Sequence, residues 1–205
     1  MQQLREILIK EIECSFSSGI KKGDGKEMNK DMEKRSKYLS YILRHKPEEV
    51  NSKLDEYGWL PVKDLIENSD FTRDELISIV QADTRYEFSS DLSQIRAFHG
   101  HSVKGIKYQN EVTEPMPLYH GTSIENYNKI VKSQAILPMS RAQVHMSASK
   151  EDAVRIAKRH KGDSVVLVID TYSLLSTGHH IYKSEDNVYL VDKIPLSCVE
   201  MVLDA

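Results

Sequence analysis

The chain has 205 residues, with 28 Lys and Arg against 31 Asp and Glu, a formal net charge of −3, and two cysteines. That length suits one large domain or two small lobes and buries a core without staples. The charge balance excludes a protein that coats nucleic acid through bulk positive charge. The two cysteines, Cys14 and Cys198, are far apart, which excludes a disulfide framework and points to a reducing, cytoplasmic setting.

The start, M-Q-Q-L-R-E-I-L-I-K-E, carries acids and no long apolar run, so it does not read as a signal peptide. No apolar stretch approaches the ~20 residues of a membrane span, so no membrane partner is expected. Residues 1–18 form an amphipathic pattern with Leu4, Ile7, Leu8 and Ile12 on one side. Gly19 to Lys30 is rich in glycine and lysine and reads as a flexible linker. Residues 1–30 are therefore expected to be a helix and linker outside the compact fold.

In S-K-Y-L-S-Y-I-L-R-H-K-P, Leu39, Ile42 and Leu43 make one helical stripe. Pro47 stops that helix near Lys46 and leaves Arg44 and His45 in its last turn. E-E-V-N-S-K-L-D reads as a turn region, followed by a turn at Gly58, a buried Trp59 and a helix with Pro61 at N1. Thr72 caps T-R-D-E-L-I-S-I-V-Q, with Glu75 completing a capping box. R-Y-E-F-S and Q-I-R-A-F-H read as the two strands of a hairpin. Three helices followed by a hairpin is the layout of a winged-helix-like lobe over 31–112.

Gly100, Gly105 and E-P-M-P mark the boundary. Then L-Y-H-G-T is a short strand into a turn, and Ser123 caps I-E-N-Y-N-K-I-V-K. H-M-S-A-S is a strand, and Ser149 opens a helix through His160. S-V-V-L-V-I-D is a buried strand, and H-I-Y-K, N-V-Y-L-V and V-E-M-V-L are short strands. Short strands with two helices predict a second lobe over 113–205 on a mixed sheet, and an α+β class for the chain.

Several residues are candidates for chemistry. Arg44 and His45 complement the negative end of a helix dipole, or present a guanidinium and an imidazole to a phosphate. Arg96 is a solvated strand residue, or part of a site with His99, Gly100, His101 and Ser102. The H-x-H spacing of His99 and His101 lacks further ligands, so no metal is expected. Arg141 lies in a loop opened by Pro138, just before the strand of His145. His179 and His180 are adjacent, point to opposite faces of a strand and read as structural. In H-G-T, Gly121 exposes backbone that suits a ligand amide, and His120 suits a ribose hydroxyl. Neither phosphate-cradle motif, Walker A or G-x-G-x-x-G, is present.

Six segments in order, S-K-Y-L-S-Y-I-L-R-H-K-P, L-D-E-Y-G-W-L-P-V-K-D-L-I, I-R-A-F-H-G-H-S, L-Y-H-G-T, R-A-Q-V-H-M-S and N-V-Y-L-V-D-K-I-P, resemble the tRNA 2′-phosphotransferase family over roughly Lys34 to Pro195. The resemblance implies a winged-helix lobe and an ADP-ribosyltransferase lobe. It implies an active-site set that falls on Arg44, His45, Arg96 and Arg141, and a nucleotide-binding signature that falls on His120, His145 and Val188, with Gly121 and Thr122 beside it. The implied cofactor is NAD as co-substrate and the implied partner RNA with a 2′-phosphate; apart from the resemblance, a monomer is expected. The sequence departs from the family pattern at Phe98, His99, Gln143 and Asp83.

The reaction so implied has two steps. The RNA 2′-phosphate displaces nicotinamide from NAD, and the ADP-ribose 2″-hydroxyl then attacks the phosphodiester. The products are 2′-hydroxyl RNA and ADP-ribose 1″,2″-cyclic phosphate. Many ADP-ribosyltransferases carry a glutamate where this chain has Val188, and a phosphate nucleophile needs no such base. Two other readings remain at this stage: an ADP-ribosyltransferase that caps terminal phosphates of nucleic acids, and a winged-helix DNA-binding regulator.

Overall fold

The computed structural model describes residues 30–160 and 162–205. The expected N-terminal helix lies outside the described residues, as does the expected linker up to Lys30, which instead begins helix α1 (Lys30–His45). Asp31 and Glu33 sit in its first turn and Arg44 and His45 in its last, so its charges oppose the helix dipole at both ends. Leu39, Ile42 and Leu43 are fully buried, as their spacing requires. After Pro47 the expected turn is a 3₁₀ helix, Pro47–Val50, closed by Asn51 at φ 51.

Around α1 pack α2 (Val62–Asn68) and α3 (Arg73–Ala82), with a three-stranded antiparallel sheet in the order β1-β3-β2. Its strands are β1 (Leu60–Pro61), β2 (Tyr86–Phe88) and β3 (Gln94–Ala97). Leu65, Leu76, Ile79 and Ile95 complete this first core. Three local expectations change. Pro61 is not at N1: at ψ 127 it is the N-cap of α2 and pairs with Gln94. Trp59 is half-buried, because the Arg96 guanidinium lies over its ring at 4.4 Å. Thr72 Oγ1 accepts from the Glu75 amide at 3.2 Å, yet the Glu75 carboxylate turns to Arg35 instead of closing the capping box.

The second core lies under a seven-stranded sheet in the order β12-β8-β5-β7-β10-β9-β4. The strands are β4 (Glu111–Val112), β5 (Leu118–Ser123), β7 (Val144–Ser147), β8 (Ser164–Ile169), β9 (Ile181–Lys183), β10 (Val188–Val191) and β12 (Val199–Asp204). Two further strands, β6 (Ala135–Ile136) and β11 (Ile194–Pro195), pair apart. The expected mixed sheet is corrected: neighbouring strands pair antiparallel throughout. The helices between strands do not join parallel neighbours. After β5, α4 (Ile124–Ser133) leads to β6, outside this sheet. From β7, α5 (Lys150–Ala157) crosses over β5 to reach β8. A Cβ on Gly121 would sit 2.0 Å from the Ala153 carbonyl oxygen, so this glycine lets α5 rest on β5.

A third helix, α6 (Thr171–Ser176), was not anticipated; Asp170 caps it, Oδ1 accepting from the Ser173 amide at 3.0 Å. α5 ends at Ala157, earlier than expected, and the His160 amide bonds Ala157 O at 3.0 Å in a closing turn. His179 and His180 precede β9 and reach Asp192 and Glu111. Among the described residues, no helix is long and apolar enough to cross a membrane, and no group of three His, Cys, Asp or Glu is placed to hold a metal ion.

Candidate active site

The last turn of α1 meets the segment that follows β3. The Ser102 amide donates to the Arg44 carbonyl at 2.9 Å, which satisfies a helix-end acceptor. Gly100 adopts φ +88, and a Cβ there would lie 3.3 Å from Arg44 Cζ. The backbone therefore comes close to the guanidinium at a φ that favours glycine. Arg44 is 8% exposed, and its Nε and Nη2 are enclosed without a partner. Burial pulls its pKa below the ordinary range, and Arg85 and Arg141 act in the same direction.

His45 Nδ1 lies 3.0 Å from Ser102 Oγ, and that hydroxyl also lies 3.5 Å from the Arg44 carbonyl, which only accepts. Ser102 Oγ can donate to either acceptor, and His45 Nδ1 donates to it in one tautomer and accepts from it in the other. Burial, then Arg44 and Arg141, lower the His45 pKa and favour the neutral form.

Arg141 joins from the other core. Its neighbour Ala142 donates its amide to the His101 carbonyl at 2.8 Å, tying the 138–143 loop to the post-β3 segment. Arg141 Nη1 lies 2.6 Å from His145 Nδ1. A guanidinium has no lone pair, so His145 accepts and carries its own proton on Nε2. Burial first, then His99 and Arg141, push the His145 pKa down to about 2. His120 Nδ1 donates to the His145 carbonyl at 2.8 Å, which leaves its Nε2 as an acceptor, and burial lowers its pKa also.

This last bond spans an opening in the sheet. β5 pairs with β8 along its whole length but with β7 only at Tyr119–Ser147. Gly121 pairs with Val166 and the buried Thr122 with Val165, so H-G-T is strand throughout, not a strand followed by a turn. Val188 begins β10 opposite Ser147; its amide donates to Ser184 Oγ at 3.0 Å.

Arg96 stands apart. Its Nε and Nη2 bond Glu87 Oε1 at 2.6 and 2.5 Å, and Nη1 bonds the Tyr57 carbonyl at 3.3 Å. It lines a small cleft with Tyr57, Tyr108 and Lys183. A cavity of about 370 Å³ also touches Tyr108 and is lined by His101, Arg141, Gln143 and Asp192. The structure thus brings Arg44, His45 and Arg141 around one segment, with His120 and His145 beside them, and holds Arg96 against Glu87.

The model for the family described as RNA 2′-phosphotransferase, Tpt1 / KptA family, matches residues 30–193. A relative from Fusobacterium nucleatum, named "Probable RNA 2′-phosphotransferase", is 41% identical over 169 residues, covering 79% of this chain and 94% of its own length. A relative of the same name from Pyrococcus furiosus is 39% identical over 176 residues, covering 83% and 96%. The chain belongs to the RNA 2′-phosphotransferase family. It is therefore an enzyme, and the clustered Arg44, His45 and Arg141 lie inside the family match.

Four residues beside this candidate site of the RNA 2′-phosphotransferase chain escaped sequence reasoning: Glu87, Tyr108, Ser184 and Asp186. Glu87 faces Arg96 directly across the hairpin, a register that alternation in R-Y-E-F and Q-I-R-A could have suggested. Asp186 meets His99, 87 residues away, and no spacing connects them.

Proposed function

We propose that this chain removes an internal 2′-phosphate from RNA, of the tRNA splice-junction type, with NAD as co-substrate. The observation that carries the reading is Arg44, a buried guanidinium whose Nε and Nη2 have no partner. An unmet buried donor costs about 1–3 kcal/mol, and more when charged, unless a ligand meets it. A phosphate oxygen suits it, since charge-assisted bonds contribute about 1.5–3 kcal/mol each. In this reading Arg44 grips the 2′-phosphate, while Arg96 and Arg141 stabilise charge in the second step.

NAD supplies an electrophilic anomeric carbon with nicotinamide as leaving group. The histidines fit a ribosyl ligand in complementary senses: His120 Nε2 accepts and His145 Nε2–H donates. The edge of β5 beyond Tyr119, unpaired toward β7, suits an amide. Val188 offers no charge to repel a phosphate nucleophile. Neutral His45, next to Arg44, takes the proton of the ribose 2″-hydroxyl when that oxygen attacks phosphorus. We read the two cores as a winged-helix-like lobe over 31–112 and an ADP-ribosyltransferase-like lobe over 113–205. Incubation with NAD and an oligonucleotide carrying an internal 2′-phosphate tests this: nicotinamide and ADP-ribose 1″,2″-cyclic phosphate are expected. A stable ADP-ribosylated RNA as end product, or no nicotinamide, overturns it.

A further inference from the structure

Two nitrogens of Arg44 are enclosed without a partner, while the Asp186 carboxylate is bonded to His99, whose neighbour Gly100 lies against the Arg44 guanidinium. Left to themselves, a buried arginine and a nearby carboxylate join in a charge-assisted pair. Here they are not joined, and each Asp186 oxygen is held by another donor. Oδ1 accepts from Ser184 Oγ at 2.7 Å, and Oδ2 accepts from His99 Nε2 at 2.8 Å. The His99 and Asp186 side chains are each 13% exposed, so water barely screens the contact. Both tethers are themselves fixed. The Ser184 amide donates to the Val188 carbonyl at 2.8 Å, and the His99 ring lies edge-on to His145 with centroids 4.9 Å apart. Gly100, next to His99, is the residue laid against the Arg44 guanidinium. One short segment thus positions the arginine and restrains the acid that would neutralise it.

We propose that His99 is a specificity-determining positioning residue: it holds the Asp186 carboxylate off Arg44 and so keeps that arginine open to the substrate phosphate. The inference rests on the reading of Arg44 as the phosphate grip. A released Asp186 would compete with the phosphate for the same two nitrogens and repel it across a desolvated site. The acid, not the loss of the imidazole, is then the cause of any defect, and removing its charge cures the defect.

The test is binding by the full chain, without NAD, of a short RNA with one internal 2′-phosphate, against the same RNA with a 2′-hydroxyl. Wild type is expected to prefer the phosphorylated RNA. His99→Ala should lose about tenfold of that preference, the scale of one charge-assisted bond. His99→Gln keeps an N–H donor for Asp186 and should retain the preference. The double variant His99→Ala with Asp186→Asn should recover it. Ser184→Ala releases the other oxygen and should weaken binding in the same direction, which keeps the test informative should His99→Ala fail to fold. A wild type that prefers the phosphate, with His99→Ala and Ser184→Ala binding as well as wild type, or a double variant as weak as His99→Ala, overturns this inference alone. A wild type with no preference overturns the reading of Arg44 and this inference with it.

Discussion

Arg141 holds His145 in one tautomer: Nη1 donates to Nδ1 at 2.6 Å, and the imidazole proton is left on Nε2. Burial keeps that ring neutral, with its pKa pushed down to about 2. A neutral imidazole with its proton on Nε2 follows from an arginine four residues away on an exposed loop.

Labelled-histidine NMR is expected to show His145 with an unprotonated Nδ1 from pH 5 to 8. In Arg141→Ala the tautomer preference should relax. In turnover, the same variant should leave nicotinamide release less impaired than cyclic phosphate release, by about tenfold or more for an arginine that stabilises transferred charge. ADP-ribosylated RNA should then accumulate. Parallel loss of both products would remove Arg141 from the second step.

Arg96 should behave differently because Glu87 occupies it. Arg96→Ala is expected to build up the same intermediate. Glu87→Gln keeps a hydrogen-bond acceptor for the guanidinium but removes the competing charge, so cyclic phosphate release should be unchanged or faster. A Glu87→Gln enzyme as defective as Arg96→Ala would mean that the carboxylate does more than orient the arginine.

The acid limb of stability follows from buried neutral histidines. His101 is 2% exposed, and burial pushes its pKa down to about 3 against 6.5 for the free group. Below pH 6.5 the unfolded chain binds a proton that the folded chain refuses, so stability falls as pH falls from 6.5 toward 3. His101 alone should cost about 1–2 kcal/mol at pH 5 relative to pH 7. Denaturant midpoints measured from pH 7 to 5 should fall less in His101→Asn than in wild type; equal slopes would refute the assignment.

Much of this was legible in the chain. The stripe of Leu39, Ile42 and Leu43 with Pro47 behind it fixed where Arg44 and His45 would lie, because local sterics decide both. Thr72, Ser123 and Ser149 all cap helices as expected, since capping is a contact over three residues. What failed was non-local. Glu75 abandoned its capping box for Arg35, 40 residues away. The antiparallel sheet arises from α5 passing over β5, which no window of sequence contains. Gly121, read as a ligand contact, is also the seat of a helix, a packing role set by residue 153 that its own neighbours do not announce.

Two glycines separate folding from function. Gly121→Ala places a Cβ 2.0 Å from the Ala153 carbonyl, backbone that has no rotamer to yield, so α5 must shift off β5. That overpacking should cost at least about 1–3 kcal/mol, read as a lower denaturant midpoint. At Gly100 the backbone is at φ +88, which costs an alanine about 1–2 kcal/mol, and its Cβ presses on the Arg44 guanidinium at 3.3 Å. Gly105→Ala meets the same φ of +88 with nothing within 4 Å, so it carries the backbone cost alone. Gly100→Ala should therefore match Gly105→Ala in stability to within about 1 kcal/mol yet bind 2′-phosphorylated RNA far more weakly. If the two variants bind alike, the contact between Gly100 and Arg44 has no part in holding the phosphate.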